Sequence, residues 1–115
     1  MRDHRTGQTA VIFTSRRTGD DVAGYEQAAE AMATLAAEQP GYRGSDSARA
    51  VDGFGITVSY WADEAAAIAW RHHAEHTLIR QHGRERWYRS YEVMVTRVER
   101  SYAWSASLEP THTSR

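Results

Sequence analysis

The chain has 115 residues, of which 41% are hydrophobic and 25% are charged, and its formal net charge is −1. This length fits one domain with one core and excludes a multi-domain enzyme, while the near-zero charge gives no bias toward nucleic acid or an anionic membrane. The absence of cysteine excludes disulfides and thiolate sites, and no leader pattern or membrane-span pattern is present, so we expect a cytoplasmic protein.

The first half of the chain predicts a strand, a helix and a second, weaker strand. The β-prone residues 9–16 predict the first strand. From Val22 onward, apolar residues recur on one helical face until Pro40 and Gly41 end the helix. Residues 42–51 are small and polar, which favours a strand at the edge of a sheet.

The second half predicts a hairpin, a helix and a final strand. Asp52-Gly53 indicates a tight turn into a strand at 54–61, in which apolar side chains alternate with mostly small or polar ones. A helix is predicted over 63–82, with Gly83 as its stop, and a last strand over about 88–100. We therefore place one domain at 1–102 and a C-terminal tail at 103–115.

The order βαββαβ predicts an α+β, ferredoxin-like sandwich, in which a four-stranded antiparallel sheet carries both helices on one face. Several strands are apolar on both sides; in the first, Val11 and Phe13 alternate with Ile12. One layer of helices would leave a large apolar patch in water, so we expect a homodimer formed through the sheet.

Three stretches carry a resemblance to a known family. They are GYRGSDSARAVDGFGITVSYW at 41–61, AIAWRHHAEH at 67–76 and GRERWYRSYEVMVTRVERSY at 83–102. With the order of elements, they resemble the antibiotic biosynthesis monooxygenase domain family of dimeric α+β barrels, from about residue 9 to residue 102. The resemblance implies a homodimer with a pocket in each subunit between sheet and helices. Some family members oxidise aromatic polyketides with molecular oxygen and no cofactor, and others bind and degrade haem.

The second helix carries the candidate catalytic histidines. His72 and His76 share a helical face with Ile68 and Ile79, which predicts that both imidazoles look inward. They are then either hydrogen-bonded core residues or a pocket base, His76, with His72 as its helper. The run 72–76 also matches the H-x-x-E-H motif of zinc proteases, but no third ligand follows, so we expect no metal site.

Trp70 lies on the opposite side of an ideal helix from Ile68, so either it covers a second surface or the helix breaks near residues 72–74. We expect Trp70 to be a wall of the site, a packing residue or a dimer contact. In the haem-degrading branch that the resemblance brings in, a Trp on this helix acts with a His three turns later and an Asn on the first strand. Here Arg80 and Gln81 stand three turns later and the chain has no Asn. We therefore expect no haem cofactor.

Substrate contacts are predicted at four positions. Arg84 and Trp87 could hold an anionic oxygen beside an aromatic ring, or they could form a polar loop that seals the dimer edge. Thr14 on the first strand and Trp61 at the end of the third complete the predicted contacts.

The functional hypothesis is a cofactor-independent monooxygenase that acts on a planar aromatic or polyketide-like substrate. Without Cys or a dinucleotide-binding glycine pattern, the substrate's own enolate or phenolate would have to react with oxygen. Its partners are then a small hydrophobic or aromatic substrate, molecular oxygen and a second copy of the chain. The alternative is a dimeric protein that binds haem or a small ligand without turning it over.

Overall fold

The helices and strands follow the predicted order in the computed structural model, which describes residues 4–80 and 83–106. In chain order they are β1 (Thr9–Arg17), α1 (Val22–Ala37), β2 (Tyr42–Arg49), β3 (Phe54–Trp61), α2 (Glu64–Arg80), α3 (Gly83–Trp87) and β4 (Tyr88–Arg97). Of the predicted tail, residues 107–115 lie outside the described part.

The strands form one antiparallel sheet in the order β2-β3-β1-β4. The two central strands, β3 and β1, hold the buried residues of the sheet, and the polar β2 lies at an edge, as predicted. This order and the helices between the strands confirm the ferredoxin-like α+β fold.

The two faces of the sheet differ in what covers them. Trp61 stacks on Trp70 of α2 with ring centroids 5.8 Å apart, so the residues of β3 that alternate with Trp61 in steps of two lie under the helices. The other residues of β3 point away from the helices; they are Phe54, Ile56, Val58 and Tyr60. The register adds Ile12 of β1 and Met94 of β4 to this side, which we call the open face.

The hydrophobic core lies between the sheet and the C-terminal half of α1. Its buried members are Val11, Ala36, Trp61, Ala67 and Trp70. Alanines of α2 let that helix approach the sheet closely, and the two indoles fill the space that their small side chains leave. Within the described residues, no helix is long and apolar enough to cross a membrane.

The helical segment after β3 differs from its prediction in two ways. α2 is one helix from Glu64 to Arg80, without the break near residues 72–74 that the position of Trp70 had suggested. Gly83 begins a short helix, α3, where the sequence predicted the stop of the second helix and no further helix before the strand at about 88–100. Glu85 lies in the first turn of α3, where a carboxylate suits the positive end of a helix, and this favours helix over loop.

Candidate functional site

The predicted inward orientation of His72 and His76 is wrong. Both side chains are exposed in the subunit, and Ile68, which shares their face, is 42% exposed. Trp70 and Ala67 face the sheet instead, with Ala66 and Ala74 packed beside them. The periodicity of the sequence did not identify the buried face, because apolar residues are spread around this helix. Neither imidazole is therefore buried in the subunit.

Trp61 and Trp70 lie in the core of the subunit. Trp61 is 0% exposed and its indole N–H donates to Ser59 Oγ at 2.9 Å, so no part of this ring is open to a ligand. Trp70 is stacked on Trp61, and the ring of His73 lies 6.0 Å from it on the outer side. Both tryptophans thus stabilise the helix-covered side of the sheet.

Thr14 lies on the other side of the sheet from Trp61 and Trp70. It is paired in register with Ile56 and Glu92, which places it on the open face rather than under the helices. Arg84 lies in α3, and its side chain falls outside the described part of the structure. Among the predicted residues whose side chains are described, none is therefore brought into one site with Trp87.

Trp87, the last residue of α3, is 5% exposed and held from several sides. Its indole N–H donates to Asp21 Oδ2 at 3.3 Å, and its ring meets Tyr25 edge to face at 6.0 Å. The backbone N–H of Thr18 donates to the Trp87 carbonyl at 2.9 Å. Trp87 therefore joins α3 to the start of α1, next to a group of residues that the sequence did not single out.

That group consists of Arg17, Tyr25, Arg49 and Tyr88, and we call it the guanidinium–phenol cluster. The Arg17 guanidinium lies over the Tyr25 ring, 4.0 Å from its centroid, and that of Arg49 lies 4.7 Å from it. Arg49 also donates a hydrogen bond to the Tyr25 hydroxyl at 2.5 Å. The sheet register explains the assembly, because Arg17 of β1 pairs with Tyr88 of β4 after a bulge at Arg16.

The Tyr88 phenol is held in its protonated form. Burial raises the pKa of Tyr88 well above its ordinary value, and the neighbouring Tyr25, whose ring centroid is 5.9 Å away, raises it further, while Arg49 and Arg17 partly offset the effect. Among the described residues, the Arg17 Nε–H is buried and has no hydrogen-bond acceptor. The cluster thus combines two positive charges with a protonated phenol and one unused donor.

Two further aromatic rings extend the cluster along the sheet. Phe13 lies 5.7 Å from Tyr88 and 5.4 Å from Tyr91, and the two tyrosines are 5.6 Å apart, so the three rings contact one another. In register, Phe13 and Tyr91 are on the same face of the sheet as Arg17. These rings offer an apolar surface next to the two guanidinium groups.

The sheet beside these rings is not fully covered by the helices. On β3, Thr57 is exposed although Gly55 and Ser59, which share its face, are buried. Its partner in register on β2, Ser47, is exposed as well, and so is Arg49 two residues further on. The helix side of the sheet is therefore exposed in the subunit from these hydroxyls to Arg49.

A separate groove of about 260 Å³ lies at the opposite end of the β1–β4 pair. It is lined by Gly7, Thr9, Asp63, Glu64, Val95, Thr96 and Arg97, and therefore by no aromatic ring. The Asp63 carboxylate in this groove caps α2, because its Oδ1 accepts a hydrogen bond from the backbone N–H of Ala66 at 2.8 Å. We place the candidate site at the guanidinium–phenol cluster, because the cluster joins an unused buried donor to an aromatic surface and this groove does not.

Sequence reasoning missed the cluster because its members are far apart in the chain. Tyr25 fits the apolar stripe of α1, and Arg17 and Arg49 end strands, where Arg is ordinary. One signal was present, namely the polar side chains of β2 on the side that faces the helices. Within residues 4–80 and 83–106, no group of three or more His, Asp or Glu is placed to hold a metal ion.

Comparisons with known proteins agree on the family. A family model described as antibiotic biosynthesis monooxygenase matches residues 9–81. The uncharacterized protein YqjZ of Bacillus subtilis is 50% identical over 91 residues, which is 79% of this chain and 79% of that protein.

Two crystal structures share the fold. That of PA3566 from Pseudomonas aeruginosa has a TM-score of 0.64 at 17% identity and covers 82% of this chain and 96% of its own. That of SnoaB from Streptomyces nogalater, described as a cofactor-independent oxygenase, has a TM-score of 0.60 at 16% identity and covers 90% and 98%.

Proposed function

The chain belongs to the antibiotic biosynthesis monooxygenase family, and from this premise we propose that it oxidises a planar aromatic or polyketide-like phenol with molecular oxygen and without a cofactor. The description of SnoaB as a cofactor-independent oxygenase supports this choice among the chemistries that the fold could host. We further propose that the reaction takes place at the guanidinium–phenol cluster.

The observation that carries the proposal is the pair of guanidinium groups beside a phenol that keeps its proton. An opposite charge within about 4–6 Å lowers the pKa of an acidic group by roughly 1–3 units, so Arg17 and Arg49 would lower the pKa of a substrate hydroxyl that is placed beside them. The Tyr88 hydroxyl would donate a hydrogen bond to the resulting oxyanion. The rings of Phe13 and Tyr91 would hold the aromatic plane of the substrate.

The chemistry balances without an external reductant. The substrate loses a proton and becomes an electron-rich phenolate or enolate, whose ring carbon transfers electrons to oxygen and forms a C–O bond. The peroxide anion takes up a proton, and loss of water across the C–H bond of the same carbon then leaves a carbonyl. A CH₂ group and O₂ thus give a C=O group and H₂O. The protein supplies the positive charges, the hydrogen-bond donor and a site with little water.

We also propose that the protein works as a homodimer in which a second copy covers the open face. That face carries Ile56, Val58 and Tyr60 beside Ile12, and Met94 on it is 39% exposed. Contiguous apolar surface of this kind marks an interaction site in soluble proteins. A second copy has the same patch, so pairing two open faces would remove both from water.

The second candidate is a binding protein that holds a phenolate without oxidising it. The exposure of His72 and His76 favours this alternative, because neither supplies the buried base that the sequence predicted. The same cluster would serve both functions.

An anaerobic titration separates the two candidates. A hydroxyanthrone is added to the protein without oxygen while its absorbance is followed, and air is then admitted. An enzyme first shows the spectrum of the bound phenolate and then converts it to a quinone faster than the free compound reacts. A binding protein shows the first change and protects the ligand, and a protein with neither function shows no shift of the phenol spectrum.

A further inference from the structure

Two hydroxyl side chains lie next to each other on the helix side of the sheet and are exposed there. Thr57 of β3 is paired in register with Ser47 of β2, and both are exposed, although Gly55 and Ser59 on either side of Thr57 are buried. Side chains directly opposite one another on antiparallel strands have Cβ atoms about 4.5–5.5 Å apart, so one ligand oxygen can reach both hydroxyls. We call Ser47 and Thr57 the hydroxyl pair.

Neither hydroxyl of the pair is used within the described part of the chain. The other two serines of this surface do use theirs: Ser59 Oγ accepts from the Trp61 indole N–H at 2.9 Å, and Ser45 Oγ is hydrogen-bonded to the Tyr42 hydroxyl at 3.0 Å. No hydrogen bond of this kind involves the hydroxyl pair. Each hydroxyl can donate one hydrogen bond and accept others, so the pair can bind either a hydroxyl or a carbonyl oxygen.

The hydroxyl pair lies one step along the sheet from the Arg49 guanidinium. Arg49 is paired in register with Gly55 and its guanidinium lies over that glycine, where a Cβ would be 3.1 Å from Arg49 Nη1. Thr57 is two residues further along β3 on the same face, which is a distance of about 6.6–6.8 Å in an extended strand. No side chain of β3 therefore stands between the guanidinium and the hydroxyl pair on this face.

Phe13 places the aromatic surface of the site beside the hydroxyl pair. It is the register partner of Thr57 on β1, and its ring contacts those of Tyr88 and Tyr91. Neighbouring strands are about 4.7–4.9 Å apart, so a planar ring system that rests against Phe13 has its edge at Thr57.

We propose that the hydroxyl pair is a specificity subsite for a second oxygen of the substrate. This oxygen lies at the opposite end of the ring system from the hydroxyl that Arg17 and Arg49 bind, so the inference rests on the proposed function of the guanidinium–phenol cluster. A substrate that lacks the second oxygen displaces water from the hydroxyl pair without replacing its hydrogen bonds, and such a substrate is bound less well.

The affinity of matched naphthols tests the subsite. Dissociation constants are measured by anaerobic absorbance titration for a naphthol, for the naphthalenediol with its second hydroxyl at the opposite end of the bicycle, and for the isomer with adjacent hydroxyls. We expect the opposite-end diol to bind roughly three- to tenfold more tightly than the naphthol, which is the gain typical of hydrogen bonds between neutral groups. The adjacent isomer should show no such gain.

Substitution of the hydroxyl pair should remove the gain. In Ser47→Ala/Thr57→Val we expect the opposite-end diol and the naphthol to bind with equal affinity, and each single variant should lose part of the gain. Thr34→Val is the matched control, because Thr34 is exposed on α1 and its hydroxyl donates to the Glu30 carbonyl at 3.2 Å. This control should keep the wild-type gain.

The outcomes separate the subsite from the site that it extends. If the naphthol binds but the opposite-end diol gains nothing, or if the gain persists in Ser47→Ala/Thr57→Val, the subsite is overturned and the cluster remains the binding site. An equal gain for the adjacent isomer also overturns the subsite, because the second oxygen is then bound elsewhere. Absence of binding for all three ligands overturns both the subsite and the proposed function.

Discussion

The carboxylate of Asp21 accepts a hydrogen bond from the indole N–H of Trp87, 66 positions away in the sequence, with 3.3 Å between Oδ2 and Nε1. The same oxygen accepts from Arg86 at 3.3 Å, and Oδ1 accepts from the backbone N–H of Gly24 at 3.2 Å as the cap of α1. One carboxylate thus fixes the start of α1 relative to α3, and with it Tyr25 relative to Tyr88.

Asp21→Asn tests this arrangement. Asp21 has a φ of 50°, in the left-handed region, which Asn tolerates well, so the substitution removes the charge without a new backbone cost. The amide nitrogen that replaces Oδ2 does not accept from Trp87 and Arg86, and we expect a loss of about 1–2 kcal/mol in the free energy of unfolding. Urea denaturation measures it. Asp20→Asn, next in sequence and also exposed, should change this free energy by less than about 0.5 kcal/mol.

Arg49→Gln should weaken binding of a phenolic ligand by raising the pKa of its bound hydroxyl. Gln keeps a donor near the Tyr25 hydroxyl but removes one of the two positive charges over that ring. We expect the apparent pKa of a bound naphthol-type probe to rise by about one unit. An anaerobic spectrophotometric pH titration measures it. Arg43→Gln is the matched control, because Arg43 lies on the same strand and its guanidinium donates to the carbonyl of its neighbour Tyr42. An equal pKa rise in this variant would show a general charge effect.

Tyr88 makes the free energy of unfolding depend on pH above about pH 10. Burial keeps its folded pKa above the unfolded value of about 10, so its contribution is fully present below pH 10 and is lost as pH rises toward the folded pKa. In Tyr88→Phe, the free energy of unfolding should fall less steeply above pH 10 than in the wild type. Urea denaturation at several pH values measures the slopes. Tyr102→Phe, an exposed tyrosine, should keep the wild-type slope.

His76→Ala should leave both stability and activity unchanged. The imidazole is exposed on the outer face of α2, and substitutions at such positions change the free energy of unfolding by less than about 0.5 kcal/mol. Thermal unfolding and oxygen uptake of the variant measure both properties. Trp70→Ala, six residues earlier on the buried side, should cost about 3–5 kcal/mol. A fall of 100-fold or more in turnover for His76→Ala in a stable dimer would restore this residue to the site.

The fold could be predicted because each element has a local signal. Asp52-Gly53 marks the hairpin: Gly53 has a φ of 95°, and Asp52 Oδ1 accepts the N–H of Phe54 at 3.0 Å. The strict alternation of β3 showed two distinct faces. The alternation did not show which of the two faces the helices would cover. The more apolar face of β3 points away from the helices, because Trp61 on the other face packs against Trp70.

The site could not be predicted because it depends on register and on packing. Arg17 and Tyr88 meet only because β1 pairs with β4 in a register that shifts by a bulge next to Arg17. Tyr25 reaches them from a helix whose start is fixed by Asp21. The predicted catalytic residues His72 and His76 lie on a helix that has apolar residues on every side. On such a helix, periodicity does not distinguish the buried face from the exposed one.

The most direct test of the proposed function is oxygen consumption with isotopic labelling. Purified protein, treated with a chelator and free of added cofactors, is mixed with a panel of hydroxyanthrones under ¹⁸O₂. We predict that one O₂ is consumed per product, that one labelled oxygen enters the new carbonyl, and that Arg17→Gln/Arg49→Gln lowers kcat/KM by roughly 100-fold, the loss expected for donors that stabilise an oxyanion. Oxygen uptake no faster than in the protein-free solution across the panel, or equal rates in the wild type and the double variant, would contradict the account.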